Sequence, residues 1–223
     1  MSPLLERSMS FTTTGGDPGS GVAKPKLIGH TTVYNGRMKQ LDLLASKLAV
    51  SERTLRRGVM ENLLHGERRG ERKTTLPLEE ERYVARWWPL LSQLRQLLRT
   101  ERNVRLAVLI GSTARGDARE DSDLDLLVRL KDSDPHQVIR LRRRLVEALG
   151  RKVDLVRMES AEANAPLFLD ALDDGRVLVD RDRQWASIKR RRRHIERQAH
   201  AADATLVAET GRILDRCDAE AAK

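Results

Sequence analysis

Gly111-Ser112-Thr113-Ala114-Arg115-Gly116, followed shortly by Ser122-Asp123-Leu124-Asp125-Leu126-Leu127-Val128, is the stretch that decides the fold of this chain. The segment before it, Val104 to Ile110, is short, apolar and rich in β-branched residues, which predicts a buried strand running straight into Gly111. Gly111 allows close approach to the backbone. Ser112 is expected to N-cap a short helix through Arg115, whose amide N–H groups would face an anion such as a triphosphate. Asp123 and Asp125 open the next apolar run, Leu124 to Val128. In a strand, positions i and i+2 share a face, so the two carboxylates converge while Leu124 and Leu126 point the other way.

Like charges this close repel unless a cation sits between them, and hard oxygen ligands suit Mg²⁺, which also binds nucleotide phosphates. A third carboxylate is available at Asp154, within Lys152-Val153-Asp154-Leu155-Val156, another short run with strand character. A neighbouring strand would bring it to the same pocket. Two metal ions held by three carboxylates stabilise the attacking and leaving oxygens of an in-line phosphoryl displacement. Taken singly, a Gly-Ser turn is usually only a turn, and Ser-Asp-x-Asp is more often a loop or strand entry. The conjunction, after a strand and before a further aspartate, carries the reading. For Asp154 the competing reading is a polar residue on an edge strand.

Gly111-Ser112, Arg115-Gly116, Ser122-Asp123, Asp125 and Asp154 resemble the minimal nucleotidyltransferases of the DNA polymerase beta superfamily. The resemblance covers roughly residues 104 to 182. It implies an α/β (α+β) nucleotidyltransferase fold, with a small mixed sheet flanked by helices. The activity it implies is Mg²⁺-dependent transfer of a nucleoside monophosphate from an NTP such as ATP, with release of pyrophosphate. On the same resemblance Gly111, Ser112, Arg115 and Ser122 bind the nucleotide, while Asp123, Asp125 and Asp154 are catalytic and hold the metal. For Arg115 a solvated helix-end arginine is the alternative. Related transferases belong to toxin-antitoxin pairs, modifying a partner protein or tRNA, and others adenylylate aminoglycosides; the resemblance does not choose the acceptor.

Upstream, Leu41, Leu44, Ala45 and Leu48 have helical spacing, Ala49-Val50-Ser51 interrupts it, and Leu55, Val59, Leu63 and Leu64 resume it. With Ser51 as the cap of the second helix, residues 35–78 resemble a helix-turn-helix unit. Arg53, Thr54, Arg56 and Arg57 are then placed to reach DNA bases or phosphates. Such turns often carry glycine, for a positive φ, where this chain has Ala49. Arg68 to Leu78 would be a basic wing turning at Gly70. The alternative is a helical hairpin with a solvated basic loop that only docks on the catalytic domain.

Residues 79–103 form a bridge with an apolar stripe that includes Tyr83, Trp87, Trp88 and Leu91, and Pro89 is expected to kink it or start a new helix. The tryptophans read as packing groups. Beyond Asp125, Ser133-Asp134-Pro135 signals a helix that ends at Gly150, Ala161 to Leu172 a further helix, and Arg176 to Asp180 a terminal strand. Residues 183–223 form a basic helix with Lys189-Arg190-Arg191-Arg192-Arg193-His194. Its apolar seam of Ile188, Ile195, Leu206, Val207 and Leu214 would pack on the domain or on a second copy, giving a homodimer.

The 223 residues suffice for one ordinary domain and a small one. A net charge of +9 favours polyanionic partners, although arginine richness can also reflect codon bias. A single cysteine, Cys217, excludes an intramolecular disulfide and a cysteine-built zinc site, in keeping with a reducing cytoplasm. No stretch approaches the roughly 18 apolar residues of a membrane span. Residues 1–34, rich in Thr, Gly and Pro, read as a flexible tail. A competing function is a transcriptional regulator that keeps the nucleotidyltransferase fold as a nucleotide sensor or scaffold.

Overall fold

The computed structural model describes residues 40–69, 73–119, 121–201 and 212. The tail at 1–34 and the seam residues Leu206, Val207 and Leu214 lie outside them. Four strands form one mixed sheet in the order β5-β4-β3-β6: β3 (Val104–Ile110), β4 (Leu124–Leu130), β5 (Val153–Arg157) and β6 (Arg176–Asp180). β3 pairs antiparallel with β4 and β6, and β4 pairs parallel with β5. The parallel step needs a crossover, and helix α5 (Pro135–Leu149) makes it. Asp134 caps α5 by accepting from the His136 amide, Pro135 fits the first turn, and Gly150 closes the helix at φ 62°.

Alternation along the strands divides the core between the two faces of the sheet. On one face Ala107, Leu109, Leu124, Leu126 and Val128 join the side chains of α1 (Gln40–Lys47), α2 (Glu52–Met60), α3 (Leu78–Thr100) and α5 in one continuous cluster. On the other, Leu106, Val108, Ile110 and Leu127 pack with α6 (Met158–Glu162), α7 (Ala165–Asp174) and α8 (Gln184–Arg190). β3 and β4 are therefore covered on both faces, which is why their sequences are almost uninterrupted apolar runs.

The N-terminal unit consists of α1, a turn, α2, and a short antiparallel hairpin of β1 (Glu67–Arg69) and β2 (Lys73–Thr75). In the turn, Val50 N–H donates to Ala45 O at 3.0 Å and Ala49 takes φ 54°. This is a Schellman-type closure in which alanine stands where glycine would be unstrained. Ser51 caps α2 by accepting from the Thr54 amide. Trp87 and Trp88 are buried in the shared core.

Three sequence expectations are corrected. Pro89 does not start a new helix, because α3 is one helix through it, with Pro89 on the exposed side. The helix expected from Ala161 to Leu172 is two, α6 and α7, because the Asn164 side chain accepts from the Leu167 amide and starts a new helix with Pro166 in its first turn. Ser112 does not cap the helix after β3. That helix, α4 (Gly111–Arg115), starts two residues earlier, from Ile110, without a side-chain cap, as Gly111 turns the chain at φ 72°.

Candidate active site

The sheet register brings the predicted acids together. Asp125 is the direct partner of Asp154 across the parallel β4–β5 pair, and Ile110, the last residue of β3, is the partner of Asp125 on its other side. Directly paired residues share a face. Here it is the face of Leu127 and Val156, which belong to the cluster covered by α6, α7 and α8. Asp123 immediately precedes β4.

Gly111 lies against the carboxylate of Asp125. A Cβ built on Gly111 would fall 2.5 Å from Asp125 Oδ2, and the φ of 72° disfavours any side chain there in its own right. Burial, reinforced by the negative charges of Asp154 and Asp123, raises the pKa of Asp125, with Arg115 acting in the opposite direction. The three acids thus share one electrostatic field, with the Arg115 cation beside it. Arg115 also approaches Asp117, Nε to Oδ2 at 3.4 Å, and is largely exposed.

The loop from α4 to β4 is fixed through its carbonyl oxygens. Tyr83 Oη donates to Thr113 O (3.1 Å), Arg176 Nε to Ala114 O (2.7 Å) and Arg86 to Ala118 O (3.2 Å). Arg151 donates to Arg119 O (3.3 Å) and Ser122 O (2.7 Å). The Ser122 hydroxyl accepts from the Arg119 amide at 2.8 Å, so in this structure it shapes the loop. Gly116, at φ 96°, sits so close to Tyr83 that a Cβ would come within 2.9 Å of the ring.

Behind the loop is a buried ion pair that the sequence did not disclose. Arg176 is 3% exposed and Glu80 5%. Their bidentate contact, at 2.6 and 2.9 Å, is extended by Arg176 donating to Leu63 O and stacking 3.3 Å above the centre of the Tyr83 ring. Glu80 also accepts from the His65 amide at 2.9 Å. One guanidinium therefore joins the N-terminal unit, α3, β6 and the α4 loop. Arg176 stands at the head of an apolar strand, where a charge is unusual. Glu80 is indistinguishable in sequence from Glu79 and Glu81 beside it.

Asp154 is half exposed, and Arg142 of α5 donates to it at 3.1 Å while also donating to Val153 O at 2.7 Å. Among the described residues, no three His, Cys, Asp or Glu side chains close around a single point. The donor set at Asp123, Asp125 and Asp154 is wholly carboxylate, which suits a hard cation such as Mg²⁺, and the pKa of Asp125, raised first by burial and then by the charges of Asp154 and Asp123, is one that such a cation would bring down.

The other predicted residues lie on α2, away from the acids. Arg53 and Arg57 are exposed, Thr54 Oγ1 is 2.9 Å from Ser51 Oγ, and Arg56 is ion-paired with Glu52 within the helix. Arg57 pairs with Glu61 at 2.6 Å.

Comparison with known proteins bears on the sheet and its acids. Residues 92–184 match the family model described as "Polymerase beta, Nucleotidyltransferase". No curated protein matches the chain. Among solved structures, a toxin-antitoxin crystal structure with AMP-PNP is 23% identical, covering 54% of this chain and 97% of that one at a TM-score of 0.46. The toxin-antitoxin MntA-HepT is 21% identical over 55% of this chain and 97% of that one, at a TM-score of 0.43. A tri-AMPylated Shewanella oneidensis HEPN toxin in complex with MNT antitoxin gives the same identity, coverages and TM-score. No helix among the described residues is long and apolar enough to cross a membrane. With strands β3, β4, β5 and β6 and the acids of β4 and β5 all inside the matched span, residues 92–184 are a nucleotidyltransferase domain of the polymerase beta family.

Proposed function

We propose that this chain carries out Mg²⁺-dependent transfer of a nucleoside monophosphate from an NTP to a hydroxyl, releasing pyrophosphate. The observation that carries the reading is the direct pairing of Asp125 with Asp154 beside the side-chain-free Gly111. Asp123, Asp125 and Asp154 would hold the cation, which when bound neutralises phosphate charge. Gly111, Ser112 and Arg115 would orient the triphosphate, and Ser122 would support it through the loop. Asp154, on the edge strand and half exposed, is the acid we assign to taking the acceptor's proton. The acceptor belongs to a protein, a tRNA or a small molecule, and the setting is a cytoplasmic toxin-antitoxin type of pair. The division into an N-terminal DNA-binding unit at 35–78, a bridge at 79–103, a catalytic domain at 104–182 and a basic C-terminal segment at 183–223 is part of the same proposal; the single helix expected there is interrupted, since α8 ends at Arg190 and the chain turns at Arg191.

Incubating the purified full-length chain with Mg²⁺, labelled NTPs, total RNA and cell lysate tests this. Label transfer that Asp123→Ala abolishes is the expected result. A second reading, a transcriptional regulator using the domain as a sensor or scaffold, is favoured by the α1–turn–α2 arrangement with its basic hairpin. No label transfer, together with tight and salt-sensitive binding to its own promoter, would replace the first reading with the second.

A further inference from the structure

Two strands away from the acids, the outer edge of β6 opens into a cleft of about 620 Å³, between α2 and α3 on one side and the start of α8 on the other. Its centre is the half of β6 that pairs with Leu106 and Ala107, toward the opposite end of β3 from Gly111. Five arginines line it, Arg57, Arg95, Arg99, Arg181 and Arg183, against two carboxylates, Glu61 and Asp180.

The carboxylates are already committed. Glu61 takes Arg57 at 2.6 Å and Arg95, with Arg99 at 3.9 Å. Two carboxylate oxygens cannot saturate three guanidinium groups of five N–H donors each. Asp180 caps α8, accepting from the Gln184 amide at 2.8 Å and the Trp185 amide at 3.1 Å. Arg95 and Arg181 have structural work. Arg95 donates to Leu178 O, and Arg181 donates to Val104 O, Arg99 O and Glu101 O. Arg57, Arg99 and Arg183 are exposed, with donors in excess of the acceptors around them.

The cleft is not built for strand addition. The edge of β6 is already used, with Val177 N–H on Asn62 O at 2.9 Å and Leu178 O on Arg95. Nor does it offer a base-stacking platform, since Trp185 at its floor is 1% exposed. Its volume is that of a small-ligand pocket, too narrow to admit a duplex. Its mouth continues onto the exposed side of α2 through Arg57. We infer that this cleft binds the phosphodiester backbone of a nucleic-acid single strand, with Arg57, Arg99 and Arg183 as the phosphate contacts. Recognition is electrostatic and indifferent to base. The inference stands apart from nucleotidyl transfer and does not need it.

The test is fluorescence anisotropy of the full-length protein with a labelled single strand of about a dozen nucleotides, as RNA and as DNA, across a salt series. Each phosphate contact on a single strand contributes about 0.7 to the slope of log affinity against log salt. Removing two contacts in Arg99→Gln with Arg183→Gln should lower the slope by about 1.4 and the affinity about 25-fold at 0.1 M salt. RNA and DNA strands should lose equally. A melting temperature unchanged from wild type shows that the variant folds, and Arg99→Lys with Arg183→Lys should restore most of the binding. Unchanged affinity and slope in the folded glutamine variant would overturn the inference. So would loss of binding in Arg53→Gln alone, which would place the contact at a residue outside the lining of the cleft, or full competition by free ATP, which would make the cleft a nucleotide pocket.

Discussion

Removing Arg176 tests whether the buried ion pair holds the N-terminal unit, the long helix and α4 together. In Arg176→Met the apolar bulk of the side chain is largely kept, while Glu80, at 5% exposure, loses its bidentate partner. Stranding one member of a buried pair costs about 3–5 kcal/mol. Ala114 O and Leu63 O also lose their donor, a loss that overlaps the first and is not added to it. For a chain of this length each kcal/mol moves Tm by about 2–4 °C, so about 4 kcal/mol corresponds to a fall of roughly 8–16 °C. Urea unfolding followed by circular dichroism, with scanning calorimetry, gives both quantities. Adding Glu80→Leu should return part of the loss, because the uncompensated charge is gone, but not all of it, because the His65 amide then loses its acceptor. A loss below about 1 kcal/mol in the single variant would refute the role given to the pair.

Gly111→Ala should cost about 1–2 kcal/mol for the left-handed backbone alone. The displacement of Asp125 from a Cβ at 2.5 Å should also abolish labelled-nucleotide transfer, which retained activity would contradict. The pKa of Asp125 is raised in the fold, mainly by burial and next by Asp154 and Asp123, so stability present below the ordinary carboxylate pKa is lost as pH rises through the folded value. Asp125→Asn should therefore raise Tm at pH 7 but not at pH 3, while eliminating transfer; an unchanged or lower Tm at pH 7 would count against the crowded-carboxylate account. For His65, burial and then the Arg176 charge lower the pKa, so stability is full above about pH 6.5 and falls as acid protonates the unfolded chain first. His65→Gln should flatten Tm between pH 7 and pH 5, and an equally steep profile would place the dependence elsewhere. Ala49→Gly should stabilise the α1–α2 turn by about 1 kcal/mol, read as a shift in the urea midpoint at constant slope, because it relieves the φ of 54°.

The strands were legible because burial on both faces leaves uninterrupted apolar runs, as in Val104–Ile110 and Leu124–Leu130. Caps were legible where a local side chain does the work, as at Ser51 and Asp134. The start of α4 was not, because backbone conformation at Gly111 replaces a side-chain cap. Periodicity also hid the break between α6 and α7, since an Asn164 cap interrupts hydrogen bonding without interrupting the apolar pattern. The spacing of Asp123 and Asp125 suggested convergence, but the alignment of Asp154 with Asp125 depends on strand register, which local sequence does not specify. Glu80 and Arg176 lie 96 residues apart, and nothing in either neighbourhood names the other. Arg142 likewise reads as one of several arginines on α5 until β5 is placed beside it.

The apolar cluster that runs unbroken from Leu41 and Leu55 through Trp87 to Leu126 has a consequence for reach. A unit tethered by a flexible linker would sample many distances from the acids, whereas the α1–α2 unit shares a core with the sheet and is held at one distance from them. If α2 holds nucleic acid as proposed and the acceptor lies on that same strand, only positions at a set span from Asp125 and Asp154 would be presented, and the acceptor would be chosen partly by measurement along the strand.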